Sequence, residues 1–178
     1  MEIKEGYMPF MGYQTYYRIV GKTEEGKNPI ILLHGGPGST HNYFELLDRV
    51  AETGRAVIMY DQLGCGNSFV EGHPELWTPE TWLKELCALI DYLHIDHFHL
   101  LGQSWGGMLA IIYLIEKQAK GVKSAILSST LSSSKLWASE QHRMIKFMSE
   151  EDQQAIAEAE AKDDFSSEAY AKANEHFM

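Results

Sequence analysis

One short stretch near the middle of the chain most constrains how it can fold. Gly102–Gly106 reads Gly-Gln-Ser-Trp-Gly, after the apolar run Phe98–Leu101 and before Met108–Ile115, which predicts a buried helix. A Gly-x-Ser-x-Gly pattern between a strand and a helix is typical of a nucleophile elbow, a turn so tight that its flanking residues must be small. The pattern makes Ser104 a candidate nucleophile, exposed above the end of a sheet. The alternative is a glycine-rich turn whose serine only caps the helix.

Short apolar strands and helices alternate around this stretch. Tyr13–Val20, rich in aromatic and β-branched residues, belongs to a hairpin-like opening of the first thirty residues. Ser39 or Thr40 offers an N-cap to a helix from about residue 42 to 50. Thr78, followed by Pro79 and Glu80, starts a further helix. The alternation predicts an α/β fold with a mostly parallel sheet wound with helices. Its predicted strands after the opening are Ile30–Leu33, Ala56–Tyr60, Phe98–Leu101 and Val122–Leu127.

The sequence changes character after Leu131. Beyond it there is no convincing strand, only stretches rich in Ala, Glu, Lys and Met that favour helices. We therefore divide the chain into a core, residues 1–131, and a helical segment, residues 132–178. The predicted helices of the second part are Lys135–Met148, Glu150–Ala161 and Ser167–Glu175.

Composition excludes several classes of protein. The chain has 178 residues, of which 44% are hydrophobic, enough for one globular domain with a sizeable core. A formal net charge of −10 argues against nucleic acid as a partner. No apolar run approaches the roughly 20 residues that cross a bilayer, and the start shows no secretory signal. We expect a cytoplasmic protein with no membrane partner.

A glycine-rich loop, His34–Gly38, directly follows the second predicted strand. Acyl transfer needs backbone N–H groups aimed at the oxygen that becomes negative in the transition state, and glycines let the backbone come that close. In hydrolases with an elbow, one N–H comes from this loop and the other from the residue after the serine. Those residues are Gly36 and Trp105 here. The other interpretation is a turn that merely ends the strand.

A second polar loop, Asp61–Ser68, follows the third predicted strand, at the edge where ligands gather in parallel sheets. Asp61 could be catalytic, but a structural role is favoured, in which its carboxylate accepts hydrogen bonds from backbone N–H groups of its own loop. Cys65 has no adjacent base in the sequence, so a small buried thiol is favoured over a nucleophile. Cys65 and Cys87 make no metal-ligand spacing, and we expect neither a metal nor a cofactor.

Three motifs together, His34-Gly-Gly-Pro-Gly38, Asp-Gln-x-Gly-x-Gly-x-Ser over Asp61–Ser68, and Gly102-Gln-Ser-Trp-Gly-Gly107, closely resemble the proline iminopeptidases of the α/β-hydrolase superfamily. The resemblance implies a serine aminopeptidase that releases N-terminal proline, or other small or apolar residues, from short peptides. It matches Ser104 to the nucleophile, with Gly36 and Trp105 as oxyanion-hole donors. The tail from Ser132 resembles the start of that family's helical cap domain. The chain departs from the family pattern at Leu63, where many members have arginine. This difference bears on the subgroup of the family and on substrate specificity.

A serine nucleophile needs a histidine base that a carboxylate orients, and in this superfamily both follow the serine. After Ser104 only His142 and His176 remain, and neither follows a predicted strand, so a pairing of Asp163 or Asp164 with His176 is disfavoured. The chain thus resembles the N-terminal part of the family, and the acid and histidine are expected beyond Met178 or in a second polypeptide. By itself the chain is expected to be inactive, with an open apolar sheet edge.

Two alternative functions stay open on the sequence alone. One is an esterase or another small-molecule hydrolase of the same fold, because the fold and the elbow do not fix the acyl group. The other is a non-catalytic fragment or binding protein, which the missing acid and base favour.

Overall fold

A computed structural model describes residues 1–177 of the chain. Within these residues, six strands form a single sheet in the order β1-β2-β4-β3-β5-β6. The strands are β1 (Ile3–Phe10), β2 (Tyr13–Val20), β3 (Ile30–Leu33), β4 (Val57–Tyr60), β5 (Phe98–Gln103) and β6 (Val122–Ser128).

The sheet is mixed, with its parallel part at the centre. β3 pairs in parallel with both β4 and β5, and β5 pairs in parallel with β6, while β1, β2 and β4 are joined by antiparallel pairings. The prediction of a mostly parallel sheet is therefore confirmed. β1 and β2 form the opening hairpin, and β2 pairs on its other side with β4. The strand that follows Pro29, β3, is therefore not part of this hairpin.

Two α-helices and one 3-10 helix flank the sheet, namely α1 (Pro79–Tyr92), α2 (Trp105–Glu116) and the 3-10 helix His41–Thr53. The predicted cap of α1 is confirmed, because the Thr78 side chain accepts a hydrogen bond from the Thr81 N–H at 3.2 Å. Thr40, one of the two predicted residues, is the N-cap of the 3-10 helix, but its side chain does not act as a cap. The His41 N–H is instead bound by the Asp61 carboxylate at 2.8 Å.

Alternate residues of the central strands point into two apolar clusters. In β4, Ile58 and Tyr60 pack with α1 and α2, whereas Val57 and Met59 pack with Phe44 of the 3-10 helix. This follows from the two-residue period of a strand, which sends successive side chains to opposite faces. Helices thus cover both faces of the central sheet, as the uniformly apolar strands predict.

β6 differs from the other parallel strands. It forms one edge of the sheet, and its residues from Lys123 to Leu127 are exposed, although Ile126 and Leu127 are apolar. The expected open apolar edge is therefore present in the described chain. None of the helices found between residues 1 and 177 combines the length and the apolar character needed to cross a bilayer.

The chain divides into two compact units, Met1–Ser132 and Ser133–Met178. The second unit consists of α3 (Ser134–Ile145), α4 (Glu150–Lys162) and α5 (Glu168–Phe177), close to the three predicted helices. Ile156 and Ala159 of α4 and Ala173 of α5 are its buried apolar residues. The assignment of this unit as the start of a helical cap domain stays a prediction.

Candidate active site

Ser104 lies in the turn between β5 and α2, where the sequence predicts it. Its backbone has φ 52° and ψ −119°, a conformation that is strained for any residue with a side chain. Gly102 and Gly106 make the turn possible: a Cβ on Gly102 would overlap the Gly106 carbonyl, and one on Gly106 would overlap the Leu33 carbonyl. The local geometry is that of a nucleophile elbow.

The last residue of β6 and the loop after it hold the elbow from one side. The Ser104 N–H donates to the Ser128 carbonyl at 2.9 Å, and the Thr130 hydroxyl donates to the Ser104 carbonyl at 2.7 Å. Gly107 is packed so closely against Thr130 that a Cβ there would overlap its side chain. Thr130 therefore supports the strained turn, a role that its place in a serine-rich loop does not reveal.

The glycine loop lies next to the elbow because β3 and β5 are parallel neighbours, with Leu33 opposite Gly102. Gly36 has φ +115°, which only glycine adopts readily. Among residues 1–177, no protein acceptor is found for the backbone N–H of either Gly36 or Trp105. The two predicted oxyanion donors are thus brought to one edge of the sheet with their N–H groups available for a ligand.

Two polar side chains tie the glycine loop to the elbow. The Tyr43 hydroxyl accepts from the Gly35 N–H at 2.7 Å and donates to the Gln103 side chain at 3.0 Å. On the buried side, the Gln62 amide accepts from the Trp105 indole N–H at 2.8 Å and donates to the His34 carbonyl at 3.0 Å.

His34 is buried and is not available as a base. Its Nδ1 lies 2.9 Å from the Gly35 carbonyl, and its Nε2 accepts the Gln62 backbone N–H at 2.9 Å. These contacts use both ring nitrogens and fix the neutral tautomer with the proton on Nδ1. Burial lowers the pKa of His34, which also favours the neutral ring. Its role is to shape the strand end that carries the glycine loop.

Asp61 has a structural role, the one that the sequence favours. One carboxylate oxygen accepts from the Asn67 N–H at 2.9 Å, and the other accepts from the backbone N–H and the ring of His41, at 2.8 and 2.7 Å. Burial alone would raise the pKa of Asp61, but these hydrogen bonds outweigh it and lower the pKa. The contact with His41, twenty residues earlier, is one that the motif does not predict.

Cys65 is the buried thiol that was favoured, since it is 4% exposed and burial raises its pKa to about 11. It is therefore neutral near pH 7 and a poor nucleophile.

A buried carboxylate that the sequence does not single out supports the same loop. Glu85 of α1 is fully buried, and both of its oxygens lie 3.0 Å from the Leu63 N–H, while the Thr15 hydroxyl donates to one of them. Burial raises the pKa of Glu85 to about 7. Its position inside an apolar helical stripe gave no signal in the sequence.

The arrangement brings together a serine and two N–H donors, without a base beside the serine. In residues 1–132, no histidine hydrogen-bonds to Ser104. In the second unit, His142 lies 3.2 Å from Glu160 and His176 lies 3.1 Å from Asp152, not from the Asp163 or Asp164 considered above. Throughout the described chain, no three His, Cys, Asp or Glu residues are grouped so that they could hold a metal ion.

Known proteins share both the sequence and the fold. The chain is 65% identical over 178 residues to a proline iminopeptidase of Clostridioides difficile and 62% identical over 180 residues to one of Lactobacillus acidophilus. Each match covers 100% of this chain but only 61% of the relative's length.

Solved structures agree with these matches. The crystal structure of a Mycobacterium smegmatis proline iminopeptidase matches with a TM-score of 0.80 at 32% identity, over 96% of this chain and 58% of that one. The crystal structure of VinJ matches with a TM-score of 0.82 at 35% identity, over 97% and 59%. The resemblance read from the three motifs is confirmed.

The family model for the alpha/beta hydrolase fold matches residues 28–175, which include the glycine loop, the Asp61 loop and the elbow. The chain therefore belongs to the α/β-hydrolase fold family and spans about three fifths of the length of the relatives it matches.

Proposed function

We propose that this chain provides the nucleophile and the oxyanion hole of a serine aminopeptidase that releases N-terminal proline, or another small or apolar residue, from short peptides. The observation that carries the proposal is that the glycine loop and the elbow follow neighbouring parallel strands, so that a Cβ on Gly35 would contact the Ser104 side chain. The choice of substrate is supported by relatives at 60–65% identity that are named proline iminopeptidases.

The chemistry follows from these groups. The Ser104 hydroxyl attacks the carbonyl carbon of the first peptide bond, and its proton passes to a base. The carbonyl oxygen becomes negative and is stabilised by the Gly36 and Trp105 N–H groups. The C–N bond then breaks, the base returns the proton to the departing amine, and an ester between Ser104 and proline remains. Water hydrolyses this ester and restores the serine hydroxyl.

The acid and the histidine are assigned to polypeptide outside these 178 residues. Two facts support this: both ring nitrogens of His34 are occupied by backbone groups, and the relatives are longer than the chain. The polypeptide that supplies them is either a continuation of the same protein or a second segment that completes the site. The isolated chain is then expected to be inactive, and no cofactor is assigned.

The proposal is tested by hydrolysis of a proline-linked chromogenic amide and a matched acyl ester. The enzyme is the full-length protein that contains this chain, or the chain combined with its complementary segment. Ser104→Ala should lower kcat by roughly 10⁴-fold or more, because the covalent step is removed. The control is Ser132→Ala, an exposed serine that should retain the parent rate.

Two results would contradict the proposal. Near-full activity of the Ser104→Ala variant would remove Ser104 from the mechanism. Hydrolysis of the ester alone by the parent enzyme would favour an esterase of the same fold.

A further inference from the structure

A second feature lies beside the glycine loop. A cavity of about 390 Å³ is bounded by Pro37 and Gly38, by the segment Leu63–Cys65, and by the indole rings of Trp77 and Trp82. We call it the indole pocket. Its volume falls within the range of about 300–1,000 Å³ that is usual for sites of small ligands.

The indole pocket lies beside the loop that carries one candidate oxyanion donor, and one of its walls contacts the side chain of the other. Pro37, which lines the pocket, directly follows Gly36, the first candidate donor. On the other side, the ring of Trp82 contacts the ring of Trp105 edge-on, with centroids 5.1 Å apart. The pocket is thus bounded by the loop that carries Gly36 and is backed, through Trp82, by the side chain of Trp105.

Trp82 is fixed in this wall. It is 4% exposed, and its indole N–H donates to the Leu63 carbonyl at 3.0 Å, which leaves the aromatic surface as its contribution to the pocket. Trp77 is 47% exposed and lies against Gly64, where a Cβ would overlap its indole nitrogen. Trp77 therefore forms the side of the pocket that is accessible to solvent.

The chemistry of the lining selects the kind of ligand. None of the residues that bound the indole pocket carries a charge, since the Cys65 thiol stays neutral near pH 7. An N-terminal proline carries its positive charge on the ring nitrogen, and burial of an unpaired charge against apolar walls is costly. An uncharged aromatic or aliphatic side chain has no charge to desolvate and would gain contact with two indole rings.

We propose that the indole pocket receives the apolar side chain of the residue that follows the N-terminal proline. The preferred substrates are then peptides with an aromatic or large aliphatic second residue. This inference rests on the proposed function, because it assigns the pocket to the leaving side of the same site.

Binding is tested first on the chain itself, without catalysis. N-acetyl-phenylalaninamide, a neutral probe, should change tryptophan fluorescence saturably, while N-acetyl-glycinamide should not. Trp77→Ala should weaken the binding of the phenylalanine probe about tenfold. Trp137→Ala, which removes another exposed indole, should not.

The second test uses the complete enzyme with Pro-Phe-amide and Pro-Gly-amide. The ratio of their kcat/KM values should favour Pro-Phe-amide by roughly tenfold or more, and Trp77→Ala should lower this ratio about tenfold. Trp137→Ala should leave it unchanged.

The outcomes separate the two proposals. Equal rates on both amides, or equal fluorescence changes with the phenylalanine and glycine probes, would overturn the pocket assignment and leave the proposed function standing. Failure to cleave either amide would overturn the proposed function itself.

Discussion

The two sides of strand β5 are built very differently. Toward β3 and β4 the strands are buried on both faces, with α1, α2 and the 3-10 helix packed against them. Toward β6 the sheet ends in a strand whose central residues are exposed, even though its sequence, Val-Lys-Ser-Ala-Ile-Leu-Ser, is nearly as apolar as its neighbours.

The difference shows that strand composition and strand burial are separate properties. β6 has a partner only at β5 in the described sheet, and Ile126 and Leu127 stay about half exposed. Parallel strands are stable when both faces are covered, so β6 has the sequence of an interior strand in the position of an edge. It also supports the elbow, because the Ser128 carbonyl accepts the Ser104 N–H.

The largest effect should come from truncating matched apolar side chains on the two sides. Leu100→Ala in β5, where the side chain is fully buried, should lower the free energy of unfolding by about 2–5 kcal/mol. Ile126→Ala in β6, where the residue is 49% exposed, should lower it by only about 1 kcal/mol. Urea denaturation measures both. If the two variants were equally destabilised, the β6 face would be covered in solution.

A pH-dependent effect is expected on the buried side. Burial raises the pKa of Glu85 from 4.5 to about 7, so the folded protein holds a proton there that the unfolded chain releases at lower pH. The contribution of Glu85 to stability is therefore most favourable below pH 4.5 and falls as the pH rises to 7, by on the order of 3 kcal/mol.

Glu85→Gln should remove this loss, and the unfolding free energy of the variant and the parent, measured from pH 4 to 8, should diverge as the pH rises. Glu80→Gln, an exposed glutamate of the same helix, is the control. Parallel profiles for the Glu85 variant and the parent would contradict the assignment.

A smaller effect is expected from the amide that joins the elbow to the glycine loop. In Gln62→Leu, the buried Trp105 indole N–H and the His34 carbonyl each lose their hydrogen bond to the Gln62 amide. The free energy of unfolding should fall by about 1–3 kcal/mol. The Trp105 indole signal in an NMR spectrum should shift and exchange faster with solvent. Gln14→Leu, at an exposed site of β2, should leave that signal in place. An unchanged signal in Gln62→Leu would mean that the amide does not hold Trp105.

Much of the fold could be predicted because its signals are local. Short apolar runs mark β3, β4 and β5, and Thr78 with Pro79 marks the start of α1. The elbow is equally local, since the glycines that permit it stand within two residues of Ser104.

What could not be predicted depends on contacts between distant residues. Gln62 meets Trp105 across 43 positions, and Glu85 meets Thr15 across 70. No spacing in the sequence encodes such a pair, because the sheet order that brings β4 beside β2 and β3 decides it. The carboxylate that binds the first N–H of the 3-10 helix is unpredictable for the same reason, because it comes from Asp61 after β4.

The sequence by itself determined the class of fold, the tight turn at Ser104 and the glycine loop at Gly36, because each depends on residue size and backbone freedom over a few positions. Only the tertiary structure decided that the Gly36 and Trp105 N–H groups share one edge, that both nitrogens of His34 are occupied, and that β6 is exposed. These depend on which strands become neighbours, and the free energy of burying the whole sheet sets that order.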